Sequence, residues 1–330
     1  MDIRLAHNRI EIGDRFAISF QRTLRIPDDG RTYPLPPTLG VFPLRRVSDF
    51  AARLPQSWSQ PGDPPAFFFP MYQREALWLA FEAASWKPSA VKVGIGGINA
   101  LSGEKWDAAL HGKPQDYLVC PQQPWLDGIN SGDGVIRQFV AMPLGAGYTV
   151  EGQLSGEERL GGLQLLVYDP LPGRFPDQPP EPSGLEFLPG GPGGEPLRIA
   201  EQKQPGAAMG LAAGGQMTQK IYPDPFGLDI WDQAQPARVA VFILNSQQYQ
   251  SVTGEPPPAS PVSAKTYSER GFPWFALYDE KKGDLPKSQA LSGVQSLHAI
   301  DQSRGESTVE DESSLDLDNS QVTGIDLPDK

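Results

Sequence analysis

The sequence predicts a mainly β protein of the α+β class, arranged as a β-sandwich or distorted barrel with few short helices. Short stretches rich in β-branched and aromatic residues recur along its first half. Gly and Pro, 35 of each among 330 residues, interrupt them at spacings typical of strands joined by turns. No apolar pattern with a 3.6-residue period continues past these breaks, so a helical bundle is not expected.

Two segments carry the strand prediction. Residues 15–26 alternate apolar and polar side chains up to a Pro-Asp-Asp-Gly turn, as a half-buried strand does. Residues 238–245 (RVAVFILN) form a nearly continuous apolar run, which predicts a central, buried strand. Residues 73–85 fit both periods, and we expect a strand followed by a short helix there. Further strands are predicted at 66–69, 90–95, 117–120, 135–142, 163–168 and 217–222, and a short helix at 263–270 that ends at Gly271.

Composition divides the chain into four parts. Residues 1–168 form a β-rich block, and residues 207–296 form a second one that is expected to pack on the first, beginning with a helical turn at 207–211. Between the blocks, residues 169–206 contain ten Pro and seven Gly, which predicts a linker or loop. Residues 297–330 are expected to form an acidic, disordered tail.

The charge balance argues against a nucleic-acid partner. A net charge of −12, from 28 basic and 40 acidic residues, repels phosphate backbones and anionic lipid surfaces. The last thirty residues hold nine acidic and two basic side chains. This composition predicts a solvated tail that promotes solubility; the alternative is a tail that docks on a basic partner.

The sequence predicts neither a transmembrane helix nor export. Its longest apolar runs, 76–81 and 239–244, are far shorter than the ~20 residues of a membrane-spanning helix. The first residues lack the apolar stretch of about 7 to 15 residues that a secretory signal has. The single cysteine, Cys120, excludes an intrachain disulfide and fits a reducing compartment. A cytoplasmic location is therefore expected.

Acid/base chemistry has candidates in one carboxylate-rich segment. Asp229 and Asp232 flank Trp231, an aromatic ring on which a sugar could stack. Glycoside hydrolysis needs two suitably spaced carboxyl groups, and Glu75, Glu151 or Asp127 could supply another. Asp229, Asp232 and Glu75 are the catalytic candidates. The alternative is that these carboxylates are solvated in turns or cap helices.

No cofactor is predicted, and one loop offers candidate metal ligands. Asp127, Asn130 and Asp133 place oxygen atoms in a short Gly-rich segment, as calcium sites do. An EF-hand loop would have a ligand where Ile129 stands. Hydrogen bonds from these side chains to the backbone of a turn are the alternative.

The sequence offers only weak support for phosphate binding and for nucleophilic catalysis. The Gly-rich segment 94–104 lacks the third glycine of a dinucleotide-binding turn and has Glu104 where a phosphate loop has lysine, so it predicts a strand entering a hairpin turn. Cys120 and His111 could form a nucleophilic dyad if residues 111–120 fold back as a hairpin. The alternative is a buried, apolar Cys120.

The ligand-binding candidates are Trp125, Asp127, Arg137 and Trp231. Strand alternation places Arg137 on one face with Val135 and Phe139. A buried Arg137 would need a carboxylate partner such as Asp127, Glu151 or Asp133, and the alternative is an anion-binding role. The tryptophans are expected mostly in the core, which leaves room for one ligand groove.

Three motifs are similar to those of a family of uncharacterised bacterial and fungal proteins, some of which carry a membrane-protein label. They are QPWLDG with VIRQFVAMPLGAGYTVE and GGLQ (123–168), YPDPFGLDIWD (222–232) and the segment 251–279. The resemblance implies that the two blocks form one evolutionary unit, and it implies no activity.

These observations favour a non-enzymatic binding or assembly protein over an enzyme. The expected partner is another protein, or a second copy that self-associates through β edges. The alternative is a carbohydrate-active hydrolase that uses Asp and Glu residues.

Overall fold

The computed structural model describes residues 1–179, 207–260, 263–270, 272–278, 282–306, 314–315, 317 and 321–326. The fold is mainly β with few short helices, which confirms the predicted fold class. None of the helices in these ranges has the length and apolar character of a membrane span. The strands are β1 (Ile3–Ala6), β2 (Arg9–Ile12), β3 (Phe16–Thr23), β4 (Thr32–Tyr33), β5 (Thr38–Val41), β6 (Arg45–Arg46), β7 (Ala66–Met71), β8 (Ala76–Ala83), β9 (Ser89–Ile95), β10 (Ile98–Asn99), β11 (Leu118–Cys120), β12 (Trp125–Leu126), β13 (Gly128–Gly132), β14 (Val135–Pro143), β15 (Leu163–Tyr168), β16 (Ala208–Thr218), β17 (Ala237–Asn245), β18 (Trp274–Tyr278) and β19 (Val322–Asp326). The α-helices are α1 (Val150–Ser155), α2 (Ser246–Thr253), α3 (Ala264–Glu269) and α4 (Leu297–Arg304).

Strands β1 to β17 form one large sheet, and β18 pairs with β19 in a separate two-stranded sheet. In the large sheet the strand pairings, together with the chain connection from β11 to β12, form a closed path. Strand β8 pairs antiparallel with β3 along its whole length. It also pairs antiparallel with β14 and with β12. From β14 the pairings continue through β16, β17, β15 and β9 to β11. Strand β12 follows β11 in the chain and pairs with β8, which closes the path.

The interior of this sheet holds the main core. Along β3, β8, β9 and β15, every second side chain is apolar and buried in one shared core. Phe20 of β3 stacks on Phe69 of β7 with ring centroids 5.0 Å apart. The predicted central strand is confirmed, because β17 pairs antiparallel with β15 and β16 and parallel with β7. Strands from both sequence blocks therefore contribute to the same sheet and the same core.

A β-bulge changes the predicted alternation along β14. The register between β14 and β16 shifts between Arg137 and Phe139, so Gln138 lies opposite the pair Gly214–Gly215. The residues that follow β3 pass close to this bulge. Gln138 Nε2 donates to Leu24 O (2.8 Å), and a Cβ on Gly215 would lie 2.1 Å from Pro27 O. As a result, Phe139 lies in the main core, while Arg137 is half-buried beside a groove. The prediction that both share one face is wrong.

Three local predictions differ from the structure. The helix expected in the second half of residues 73–85 is absent from this described segment, because β8 continues to Ala83 and pairs with β3 throughout. Residues 208–211 begin β16 instead of forming a helical turn, and only the first two residues of the predicted strand 217–222 belong to a strand. In each case pairing with neighbouring strands decides between patterns that sequence leaves ambiguous. The predicted helix at 263–270 is present as α3, and Gly271 lies outside the described residues.

Helix α4 and strand β19 lie inside the segment predicted as a disordered tail. Leu297 and Ile300 of α4 are buried against Val140 and Met142. Asp301 accepts hydrogen bonds from Arg74 Nη2 (2.8 Å) and Tyr148 OH (2.7 Å). The disorder prediction therefore does not hold for these two elements. Residues 169–179 of the predicted linker are irregular, and residues 180–206 lie outside the described ranges.

Candidate functional site

The β13–β14 hairpin supplies one wall of the candidate site. Asp133 and Gly134 form its turn, with φ angles of 56° and 71°. Positive φ at both central positions is the geometry of the two-residue turn for which Asp-Gly is a preferred sequence. The turn fixes the register in which Asn130 lies opposite Ile136 and Ile129 opposite Arg137.

Asn130 links this hairpin by hydrogen bonds to residues 284–294, which form the opposite wall of the candidate site. Its Nδ2 donates to Leu101 O (3.2 Å) and Pro286 O (3.1 Å), and its Oδ1 accepts from Gly132 N (2.9 Å). Gly132 has a φ of 77°, and a Cβ there would lie 2.4 Å from the Cα of Lys287. Only glycine allows this approach. Asp284 completes the junction by accepting from Gly134 N (2.5 Å) and Ile221 N (2.7 Å).

A groove of about 200 Å³ lies between these walls and Gln216 of β16. Its polar lining combines two cations, one carboxylate, two hydroxyls and an amide: Arg137, Lys287, Asp133, Ser131, Ser292 and Gln216. Lys287, Asp133 and Ser292 are exposed, and Arg137 is half-buried. Positive charge therefore exceeds negative charge in the groove, although the whole chain is acidic.

Arg137 lacks the carboxylate partner that the sequence led us to expect. Its Nη1 donates to Val294 O (2.7 Å), and it forms no ion pair with any carboxylate in the described ranges. Glu151 accepts instead from the backbone N–H groups of residues 159, 160 and 161. The predicted ion pair is wrong, because Asp127 and Glu151 bond to other groups and Asp133, which is exposed in the hairpin turn, forms no ion pair with the guanidinium.

Asp127, Asn130 and Asp133 do not converge on one ion. Asp127 is buried, and its carboxylate accepts from Gln219 Nε2 (2.8 Å). Burial raises the pKa of Asp127 to about 7, although the hydrogen bond from Gln219 lowers it in part. Asp133 is exposed, and Asn130 bonds to backbone groups. The three side chains therefore have different surroundings: Asp127 is buried against Gln219, Asn130 is bonded to the backbone, and Asp133 is exposed.

The candidate catalytic carboxylates have separate partners. Glu75 pairs with Arg22 (Nη2 to Oε1, 2.7 Å); its burial raises its pKa, and Arg22 lowers it in part. Asp229 is exposed in a 3₁₀ turn, and Asp232 accepts from Ala234 N (3.0 Å). Trp231 is buried and donates to Asp224 Oδ2 (3.0 Å), so its ring does not form an open stacking surface.

The remaining sequence candidates also have structural partners. Trp125 is half-buried, edge-on to Trp78 with ring centroids 6.5 Å apart. Cys120 is buried in the main core, where burial raises its pKa well above the usual value. His111 bonds to Asp116, so a Cys120–His111 dyad is not formed. The 94–104 segment is the β9–β10 hairpin and its following turn.

Sequence reasoning missed a cluster on the outer side of β9. Lys92 is 1% exposed, and its Nζ donates to Asp107 Oδ1 (2.7 Å), Asp116 Oδ2 (2.7 Å) and Ala109 O (2.5 Å). Burial raises the pKa of Asp107, but the hydrogen bond from Lys92 and the charge of Lys92 outweigh this effect, so the pKa is lowered. A lysine inside an otherwise apolar strand was the signal, because a buried ammonium requires acidic partners.

Comparison of the chain with protein-family models, curated proteins and solved structures gave no match. The resemblance drawn from the sequence motifs therefore stays an expectation.

Proposed function

We propose that the protein is a non-enzymatic binding protein whose groove beside the β13–β14 hairpin holds a carboxylate of a protein partner. The observation that carries this proposal is Arg137, a half-buried cation whose described partner is a backbone carbonyl and not an acid. A charge withdrawn from water usually has a counter-charge. A bound carboxylate would supply it.

The donors in the groove match a carboxylate. The guanidinium is a rigid planar fork that can bind both oxygens of a carboxylate at once. The bond from its Nη1 to Val294 O restricts its orientation before a ligand arrives. Lys287 and the hydroxyl of Ser131 provide further donors, whereas the Ser292 hydroxyl donates to Gln289 O (2.7 Å). Asp133 at the rim disfavours a doubly charged phosphate more than a singly charged carboxylate.

The size of the groove limits the occupant. Pockets for small-molecule ligands have volumes of about 300 to 1,000 Å³. The groove, at about 200 Å³, fits one acidic side chain or a chain terminus better than a nucleotide or an oligosaccharide. The remainder of the ligand would lie outside the groove, as it does when the carboxylate belongs to another protein.

Arg137→Ala should weaken binding of a fluorescein-labelled Glu-rich peptide at least tenfold, because a charge-assisted hydrogen bond contributes about 1.5 to 3 kcal/mol. Fluorescence anisotropy at low salt measures the dissociation constant. Lys265→Ala removes an exposed lysine of α3, outside the groove, and serves as the matched control. A peptide with Gln in place of Glu should bind weakly to every variant. Equal binding of the Glu-rich peptide by the wild type and Arg137→Ala would overturn the proposal.

A second copy of the chain is one source of the carboxylate. The last thirty residues hold nine acidic side chains, which complement the two cations of the groove. Light scattering on the wild type and on Arg137→Ala distinguishes this source from another protein. A mass above that of the monomer in the wild type alone identifies self-association through the groove, whereas a monomeric wild type assigns the carboxylate to a different chain.

The alternative function, a carbohydrate-active hydrolase, has no specific observation in its favour among the described residues, since Glu75 pairs with Arg22, Asp232 accepts from Ala234 N, and Asp229 is exposed in a turn. It stays a prediction.

A cytoplasmic location is also part of the proposal, supported by Cys120 as a free, buried thiol.

A further inference from the structure

A second group of chemistry-bearing side chains lies apart from the groove, on the outer side of β9. Asp107, His111 and Asp116 belong to the loop that covers Lys92, and their potential ligand atoms all lie within 4.8 Å of one another. Asp107 and His111 are exposed, and Asp116 is buried. Lys92 bonds to both carboxylates, so the inner position between them already holds a cation.

Asp116 determines which nitrogen of His111 faces outward with a lone pair. His111 Nδ1 lies 2.8 Å from Asp116 Oδ2, and the backbone N–H of His111 donates to Asp116 Oδ1 (2.9 Å). Because Asp116 Oδ2 accepts from Lys92 as well, Nδ1 is the proton donor in this contact. In the neutral imidazole, Nε2 is then the nitrogen with the lone pair. A carboxylate on the far nitrogen of a histidine is the usual support of a metal-ligating imidazole.

Asp107 places an oxygen beside that nitrogen. Its Oδ1 is held by Lys92, and its Oδ2 lies 3.7 Å from His111 Nε2. Zinc bonds of about 2.0 to 2.1 Å at a tetrahedral angle separate two ligand atoms by about 3.4 Å. The observed separation is therefore close to that of two ligands on one zinc ion, and both side chains are exposed enough to adjust.

We propose that His111 Nε2 and Asp107 Oδ2 bind a zinc ion or a similar divalent metal ion, and that Asp116 positions the His111 ring. Two carboxylates against one ammonium leave the cluster with an excess negative charge. An imidazole nitrogen favours zinc and its neighbours over calcium and magnesium, which prefer oxygen ligands alone. The two ligands from this chain leave the other coordination positions to water or to a group of another molecule, so the ion exchanges readily. This site is independent of the groove around Arg137.

Zinc titration of the metal-stripped full chain by isothermal calorimetry tests the site. The wild type should bind one zinc ion, and His111→Ala and Asp107→Asn should each weaken binding at least tenfold. His7→Asn is the matched control: His7 is exposed in the β1–β2 turn with a φ of 50°, a conformation that Asn tolerates. Thermal unfolding of each variant without metal verifies that it folds.

Two results would overturn the proposal. One is the absence of zinc binding by the wild type up to millimolar concentration. The other is binding that His7→Asn weakens as much as His111→Ala does, since that result identifies non-specific coordination by surface histidines. A second readout is the imidazole ¹⁵N spectrum, in which zinc should shift the Nε2 resonance of His111 and leave that of His7 unchanged.

Discussion

Lys92→Met should lower the free energy of unfolding by about 3 to 5 kcal/mol, the largest effect that we expect from a single substitution. Lys92 is 1% exposed, and its ammonium compensates the charges of Asp107 and Asp116. Methionine fills a similar volume, but it leaves the buried Asp116 carboxylate without its cation. Removal of one partner from a buried ion pair costs this much because the other charge remains in a poorly solvated place. Urea unfolding followed by circular dichroism measures the change.

Lys87→Met is the matched control for Lys92→Met. Lys87 also pairs with an aspartate, Asp177, at 2.6 Å, but the Asp177 side chain is 77% exposed. Because Asp177 is exposed, it stays solvated when Lys87 is replaced, so this substitution leaves no buried charge and should change the unfolding free energy by less than about 1 kcal/mol. A Lys92→Met chain that fails to fold agrees with the prediction. A Lys92→Met protein as stable as Lys87→Met contradicts it.

Asp127→Asn should remove a pH dependence of stability between about pH 4 and pH 7. Burial raises the pKa of Asp127 from 3.8 to about 7. In this interval the folded chain keeps a proton that the unfolded chain releases, so the unfolding free energy falls as the pH rises. One pKa unit corresponds to about 1.4 kcal/mol, so the loss reaches at most about 4 kcal/mol and is complete above pH 7.

Asparagine has the shape of the protonated aspartate, and its oxygen can accept the hydrogen bond from Gln219. We therefore expect Asp127→Asn to be more stable than the wild type at both pH 5 and pH 8, and the difference should be larger at pH 8, as measured by urea unfolding at both pH values. Asp133→Asn, an exposed change in the hairpin turn, should show the wild-type dependence. An Asp127→Asn protein that loses stability from pH 5 to pH 8 as the wild type does would contradict the account.

The fold class could be predicted because strands leave a local pattern in sequence. Residues 238–245 show this best: their apolar run predicts burial, and β17 has hydrogen-bonded neighbours on both edges. Residues 73–85 show the limit. Their apolar pattern fits either period, and pairing of β8 with β3, which is distant in sequence, decides the outcome.

The site was predictable only in part. Arg137 was recognised as a residue that needs a counter-charge or a ligand, but its position depends on the bulge at Gly214–Gly215, about 80 residues further along the chain. Lys287 reaches the same groove because Gly132 lets its backbone approach. Such contacts join segments that no local pattern connects.

The cluster around Lys92 was missed for a related reason. The sequence suggests a pairing of His111 with Cys120 as a nucleophilic dyad. It does not indicate the pairing of His111 with Asp107 and Asp116, although both lie within five residues of it. Asp127 was considered as a metal ligand because of its neighbours Asn130 and Asp133. The structure places its carboxylate beside Gln219 instead, and that environment decides its pKa.

Arg137 is the residue through which the groove beside the β13–β14 hairpin is proposed to bind a carboxylate. A crystal structure of the full chain with the Glu-rich peptide tests this proposal most directly. The account predicts one glutamate side chain in the groove, with its carboxylate oxygens about 2.7 to 2.9 Å from the guanidinium nitrogens of Arg137. A peptide bound elsewhere, with Arg137 bonded only to Val294 O, would contradict it.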